Sequence, residues 1–125
     1  MELPSFNSDY MEIRIKNYDV PSYTGKVLET EKYYPTWTLD PEHSLVQAGV
    51  KAALSIDGKT PKVDRWVFST NGVSSMGQLN IPTIGYGPGR EEESHSTMDR
   101  IKIADMSYAA AFYAALPAAL AEVGV

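Results

Sequence analysis

The sequence predicts an α/β fold in which a mixed sheet with flanking helices is preceded by a β-hairpin. Three observations carry this reading. Residues near the amino terminus alternate apolar and charged, as a strand with one wet face does. Two later runs, Val63 to Ser69 and Pro82 to Tyr86, are dense in β-formers and read as buried strands. Segments with apolar residues at helical spacing lie between and after those runs, so the order β-β-α-β-α-β-α places crossover helices against a sheet.

The hairpin comes first. Tyr10 to Tyr18 sets Met11, Ile13 and Ile15 against Glu12, Arg14 and Lys16, and Pro21 ends that strand. A second strand is expected from Thr24 to Tyr34, after which Tyr34-Pro35-Thr36-Trp37 is either a crossing linker or an ordinary Pro-containing turn anchored by an aromatic ring. A helix with recognisable ends follows. Asp40 can accept from the first free backbone amides, Pro41 suits the first helical position, and Glu42 sits well near the positive end of the dipole. Leu45, Ala48, Ala52 and Ala53 share one face and Gly58 is placed to stop the helix. His43, in the first turn, reads as a solvated surface residue.

The strand at Val63 to Ser69 leads into Ser69-Thr70-Asn71-Gly72, which can cap a short helix running through Met76. Such a turn is either a plain cap or, because helix amino termini attract anions, a place for a substrate carboxylate. The next strand, with Ile84 and Tyr86 on its buried surface, enters a loop in which Gly85, Gly87 and Gly89 let the backbone turn sharply and approach a ligand. His95 follows, and an imidazole delivered after such a loop can bind a divalent metal with a carboxylate such as Asp99 behind it. The last element is an Ala-rich helix from Ile103 to Leu116 with Met106, Phe112, Tyr113 and Leu116 available for packing, ended or kinked by Pro117.

Composition sets outer limits. The 125 residues suffice for one modest core. A net charge of −5 argues against nucleic acid or an anionic membrane as a partner. With no cysteine there are no disulfides and no thiolate metal ligands. Residues 1 to 10 carry no signal-peptide pattern, and no stretch is expected to reach the length needed to cross a bilayer, so a cytoplasmic location is the expectation.

The stretch Pro82-Thr83-Ile84-Gly85-Tyr86-Gly87-Pro88-Gly89, then His95 and Asp99-Arg100-Ile101, resembles the carboxy-terminal signature of a family of dinuclear zinc hydrolases. That family includes acetylornithine deacetylase, succinyl-diaminopimelate desuccinylase and bacterial glutamate carboxypeptidases. Met98 stands where the family usually has Asp or Asn. Trp66-Val67-Phe68-Ser69-Thr70-Asn71-Gly72-Val73 is similar to the family's strand and turn at the active-site rim, in wording closest to a subgroup associated with selenium metabolism. The resemblance covers about Pro21 to Leu116.

The resemblance implies a partial zinc-peptidase-like catalytic domain over residues 35–125, with residues 1–34 as the tail of a small lid and dimerisation domain. It implies His95 as a metal ligand, and Asn71, Gly87, Pro88 and Gly89 as substrate contacts. It also implies hydrolysis of amide bonds in small acylated amino acids or peptides. In such enzymes two zinc ions, or cobalt or manganese in their place, activate a bridging water whose proton a Glu accepts. The family's H-x-D motif and catalytic Glu-Glu pair have no counterpart here, and Glu91-Glu92-Glu93 does not match the latter. The expectation is therefore a carboxy-terminal piece with no catalytic residue of its own, no tight metal binding and no activity alone, whose partner is the missing amino-terminal part. Uncovered apolar surface and edge strands give the other expectation, a non-catalytic module that self-associates as a homo-oligomer or binds a partner.

Overall fold

A computed structural model describes residues 12–124. The chain divides into two compact units, Met1–Tyr34 and Pro35–Val125.

In the first unit β1 (Asn17–Tyr18) pairs antiparallel with β2 (Thr30–Glu31), with Asn17 opposite Glu31 and Tyr18 opposite Thr30. The Lys32 amide extends the ladder by donating to the Lys16 carbonyl at 2.7 Å. At the tip the Gly25 amide donates to Ser22 at 2.9 Å, and Gly25 takes φ +79°, a left-handed conformation that glycine adopts without a Cβ penalty. The expected strands Tyr10 to Tyr18 and Thr24 to Tyr34 thus shrink to two residues each, Tyr10 and Met11 lying outside the described residues. Two strands alone bury little, and Ile13 and Ile15 are exposed, so nothing within this unit rewards a longer ladder.

The second unit is organised by two helices. Helix α1 (Ser44–Asp57) buries Val46, Ala48, Gly49, Ala52 and Ala53. The cap is not Asp40 as the sequence suggests. Asp40 instead folds the preceding turn, its Oδ1 accepting from the Glu42 amide at 2.8 Å and its carbonyl from the His43 amide at 2.9 Å. That turn delivers His43, whose Nδ1 accepts from the Leu45 amide at 3.1 Å, so the residue read as merely solvated is the cap. Gly58 ends the helix as expected, at φ +74° with its amide donating to Leu54.

Helix α2 (Ile103–Val123) packs on α1. Ala48, Ala52 and Ala53 form with Phe112 and Ala119 the buried cluster, flanked by Ile56, Tyr86, Leu116, Leu120 and Val123. Small alanines let the helices approach closely, and Phe112 fills the remaining gap. Lys51 and Glu122 pair across the two helices, and the Tyr108 hydroxyl donates to the Ala53 carbonyl at 3.3 Å. Pro117 does not end α2. It lies inside the helix, which continues to a left-handed cap at Gly124. One missing amide hydrogen bond is outweighed where strong helix formers, Ala118, Ala119, Leu120 and Ala121, follow and Ala119 is buried against α1.

The longer helix also corrects the expectation about membrane length. Its 21 residues, with a mean hydropathy of 1.3 over the apolar window, are long and apolar enough to cross a bilayer by length and composition alone. Among its residues Ala109, Phe112 and Ala119 are buried, the last two in the cluster shared with α1.

The strands expected at Val63 to Ser69 and Pro82 to Tyr86 form no ladder among the described residues. A strand is stable through its neighbours, and neither run has one here. The second run packs on the helices instead, with Ile84 against Gly49 and Tyr86 against Phe112, whereas Trp66 and Val67 in the first are exposed. The α/β sheet layer is thus not formed by the described residues, which hold one two-stranded hairpin and a helical unit. Between the two runs the expected short helix is a π-helical turn, Val73–Gln78, tied to the second run by a Ser75–Thr83 hydroxyl bond of 2.7 Å.

Candidate functional site

The sequence-predicted rim residue Asn71 lies in a cleft of about 320 Å³ lined by Trp37, Trp66, Thr70, Asn71, Tyr86 and Tyr113, among others. Its walls come from four places in the chain. Trp37 follows the Pro35 turn and Trp66 belongs to the exposed β-former run. Tyr86 is anchored by stacking on Phe112 at 3.9 Å between ring centroids. Tyr113, on α2, donates its hydroxyl to the Tyr86 carbonyl at 2.5 Å. Burial raises the Tyr86 hydroxyl above the ordinary tyrosine range, with the nearby Tyr108 adding to the effect, so Tyr86 stays neutral through the physiological range.

Two glycines make this cleft. A Cβ on Gly85 would run into the six-membered ring of Trp66, and a Cβ on Gly72 into that of Trp37. Each indole therefore lies directly on backbone, which fixes both walls. This corrects the role expected for the loop glycines. Gly85 is needed for close approach, while Gly87 and Gly89 face open space and neither takes a positive φ.

The other expected substrate contacts do not join Asn71. Gly87 and Gly89 do not line its cleft, and Pro88 lines a different cavity of about 190 Å³ with Arg90, Glu93, Arg100, Lys102 and Asp105. Glu93 organises that second cavity. Its mostly buried carboxylate lies 3.8 Å from Arg90 and 3.4 Å from Arg100. The Arg100 contact is aligned for charge attraction but not for a hydrogen bond, so Oε2 is buried without a hydrogen-bond partner among the described residues.

His95 sits at the end of the 3₁₀ turn Glu91–Glu93, at φ +60°, a left-handed conformation uncommon for a side chain of its size. The acidic run that carried no motif turns out to hold this loop. Glu91 Oε1 accepts from the Val67 amide at 2.8 Å, tying the loop to the Trp66–Phe68 segment. The His95 ring meets the edge of Phe68 at 5.6 Å, and Phe68 stacks on Trp66 at 5.6 Å, so His95 is joined to the cleft through two aromatic rings. Asp99 does not stand behind His95 in a hydrogen bond among the described residues. Successive turns, Ser96 amide to Glu93 carbonyl and Asp99 amide to Ser96 carbonyl, both 3.3 Å, set its position.

The chain is similar to the uncharacterised protein YgeY of Escherichia coli, in strain K12 and in O157:H7, at 45% identity over 115 residues. Those residues are 92% of this chain but 28% of YgeY. The chain is also similar to an N-formyl-4-amino-5-aminomethyl-2-methylpyrimidine deformylase of Halalkalibacterium halodurans, at 25% identity over 83 residues, 66% of this chain and 19% of that enzyme. No family model and no solved structure matches. The chain spans little more than a quarter of the YgeY proteins that it matches.

Among the described residues no three His, Asp or Glu side chains are grouped to hold a metal ion. His95 offers one imidazole where a closed shell takes about four ligands.

Trp37 and Tyr113 are walls that sequence reasoning missed. Trp37 reads as the anchor of a turn and Tyr113 as a packing residue. Only Gly72 and Gly85, each opposite an indole, hold the signal, and the pairing is visible only in three dimensions.

Proposed function

We propose that this chain is the carboxy-terminal portion of a metal-dependent amidohydrolase that acts on small acylated amino acids or peptides, and that it does not turn over alone. The observation that carries the reading is the similarity to a deformylase, by its name an enzyme that removes an N-formyl group, over 66% of the chain. The longer match, to YgeY, supports treating these residues as the counterpart of one part of a longer protein. In this reading Asn71 and Thr70 contact the substrate, Trp37, Trp66 and Tyr113 shape its cleft, and His95 faces donors supplied by the remainder of the enzyme. Among the described residues no three His, Asp or Glu side chains are grouped to hold a metal ion, so in this reading amide hydrolysis above background is not expected from the isolated chain. The assay presents N-formyl and N-acetyl amino acids and dipeptides to the purified chain with zinc, cobalt or manganese supplied. Chelator-sensitive turnover that disappears in His95→Ala would contradict the reading.

Exposed apolar surface favours a second reading, a self-associating module. Val67 is 88% exposed and Ile103 82%, and Met106 and Tyr113 also face outward on α2. Apolar side chains left this exposed are candidates for cover by protein where they lie together. The expected mass by light scattering at micromolar concentration is that of a dimer or larger homo-oligomer. A monomer mass with an undiminished folded signal on dilution would exclude it.

A further inference from the structure

The aromatic cleft has a chemical character that points to its ligand, and this step rests on the proposed hydrolase reading only for calling that ligand a substrate. Trp37, Trp66, Tyr86 and Tyr113 supply flat apolar walls. None of the residues that line the cleft carries a charge; the remainder are Thr70, Asn71, Gly72, Thr83, Ile84 and Gly85. A carboxylate would find no cation there. The sequence-based suggestion that the Ser69-Thr70-Asn71-Gly72 turn holds a substrate carboxylate is therefore not supported by the lining, and the six-residue π-helical turn that follows is too short to supply a helix dipole.

The polar edge of the cleft is directional. Thr70 Oγ1 accepts from the Gly72 amide at 3.1 Å, which leaves its own hydrogen free to donate. The exposed Asn71 carboxamide offers a donor and an acceptor side by side. A quaternary cation could use the rings but not this edge, and an ammonium only the edge's acceptor, whereas an amide or amino-substituted ring uses the rings and both sides of the edge. The volume, about 320 Å³, lies at the lower end of the range for small-molecule sites.

We propose that the Trp37–Trp66–Tyr113 cleft binds a neutral planar ring bearing an amide-like edge, with the ring against the aromatic walls and the edge read by Thr70 and Asn71. The ligand class follows from shape and the absence of charge. Under the hydrolase reading the cleft would take a neutral aromatic part of an acylated substrate, and any carboxylate of that substrate would lie outside it.

The test is binding to the full 125-residue chain, read from its two indole N–H signals in a nitrogen–proton correlation spectrum. Benzamide is compared with benzoate, which adds a negative charge and loses the amide N–H donors, with cyclohexanecarboxamide, which keeps the amide but loses the flat π faces, and with tetramethylammonium. Benzamide is expected to move both indole signals and to bind about tenfold more tightly than each of the other three. Asn71→Ala, a substitution at an exposed side chain, is expected to weaken benzamide by roughly fivefold to tenfold with the spectrum otherwise unchanged. Trp66→Leu is expected to erase the preference for benzamide over cyclohexanecarboxamide. Equal affinities, a preference for benzoate or tetramethylammonium, or no loss in Asn71→Ala would overturn the proposal. Because no catalysis or metal enters the measurement, its failure leaves the hydrolase reading standing, and failure of that reading leaves the ring site standing.

Discussion

Phe112→Ala is expected to destabilise the helical unit by about 3–5 kcal/mol, the range for deleting a buried aromatic side chain whose cavity cannot collapse. Phe112 is 2% exposed and lies among Ala48, Ala52, Ala53 and Ala119, residues too small to fill the space that it would leave. It also stacks on Tyr86 at 3.9 Å and meets the edge of Tyr113 at 5.4 Å, so its removal loosens two walls of the cleft at once. Single domains are stable by only about 5–15 kcal/mol, and a unit with so few fully buried side chains belongs near the lower end. The substitution should therefore leave a large unfolded fraction at room temperature. Urea unfolding followed by circular dichroism gives the number, and Tyr113→Phe is the control. That change removes only the hydroxyl bond to the Tyr86 carbonyl and should cost about 1 kcal/mol. A loss below about 1 kcal/mol in Phe112→Ala would mean that the alanine-rich interface does not depend on the ring.

The helices were the legible part of the fold because their signals are local. Gly58 stops α1 through its own backbone conformation, and the face Ala48, Ala52, Ala53 follows from spacing. The starting cap was displaced from Asp40 to His43 because a one-turn fold at Pro41 competes for the Asp40 side chain, and no local rule ranks the two outcomes. Pro117 was read as ending or kinking the helix, and it does not end it, because a local rule sees the lost hydrogen bond and not the packing of Ala119 and Leu120 beyond it. Strands need partners. The β-former density of residues 63–69 and 82–86 is real, but with no neighbour the first stays exposed and the second lies on the helices. At the site, Asn71 was placed at a cleft by its turn, whereas the expected companions Gly87, Pro88 and Gly89 lie elsewhere, since adjacency in a glycine-rich loop does not fix which way the chain faces.

The largest functional effect is expected at His95, and only in the context of a longer chain. Structural zinc sites bind with about 10–16 kcal/mol shared among four ligands, so one ligand contributes about 3 kcal/mol, or on the order of a hundredfold in affinity. Among the described residues His95 has no grouped donors, so in the isolated chain its loss should change zinc binding little. The loop that carries it is tied by Glu91 to the Val67 amide and by Glu93 to Arg90 and Arg100, and under the proposed reading those ties would position the imidazole for donors from elsewhere.

The most direct measurement replaces the matching stretch of YgeY, 28% of that protein, by this chain and titrates the chimera with zinc, with His95 intact and as His95→Ala. The account predicts tight zinc binding by the chimera and a loss of about a hundredfold or more on substitution, with the same substitution silent in the isolated chain. Unchanged zinc affinity in the His95→Ala chimera would contradict it.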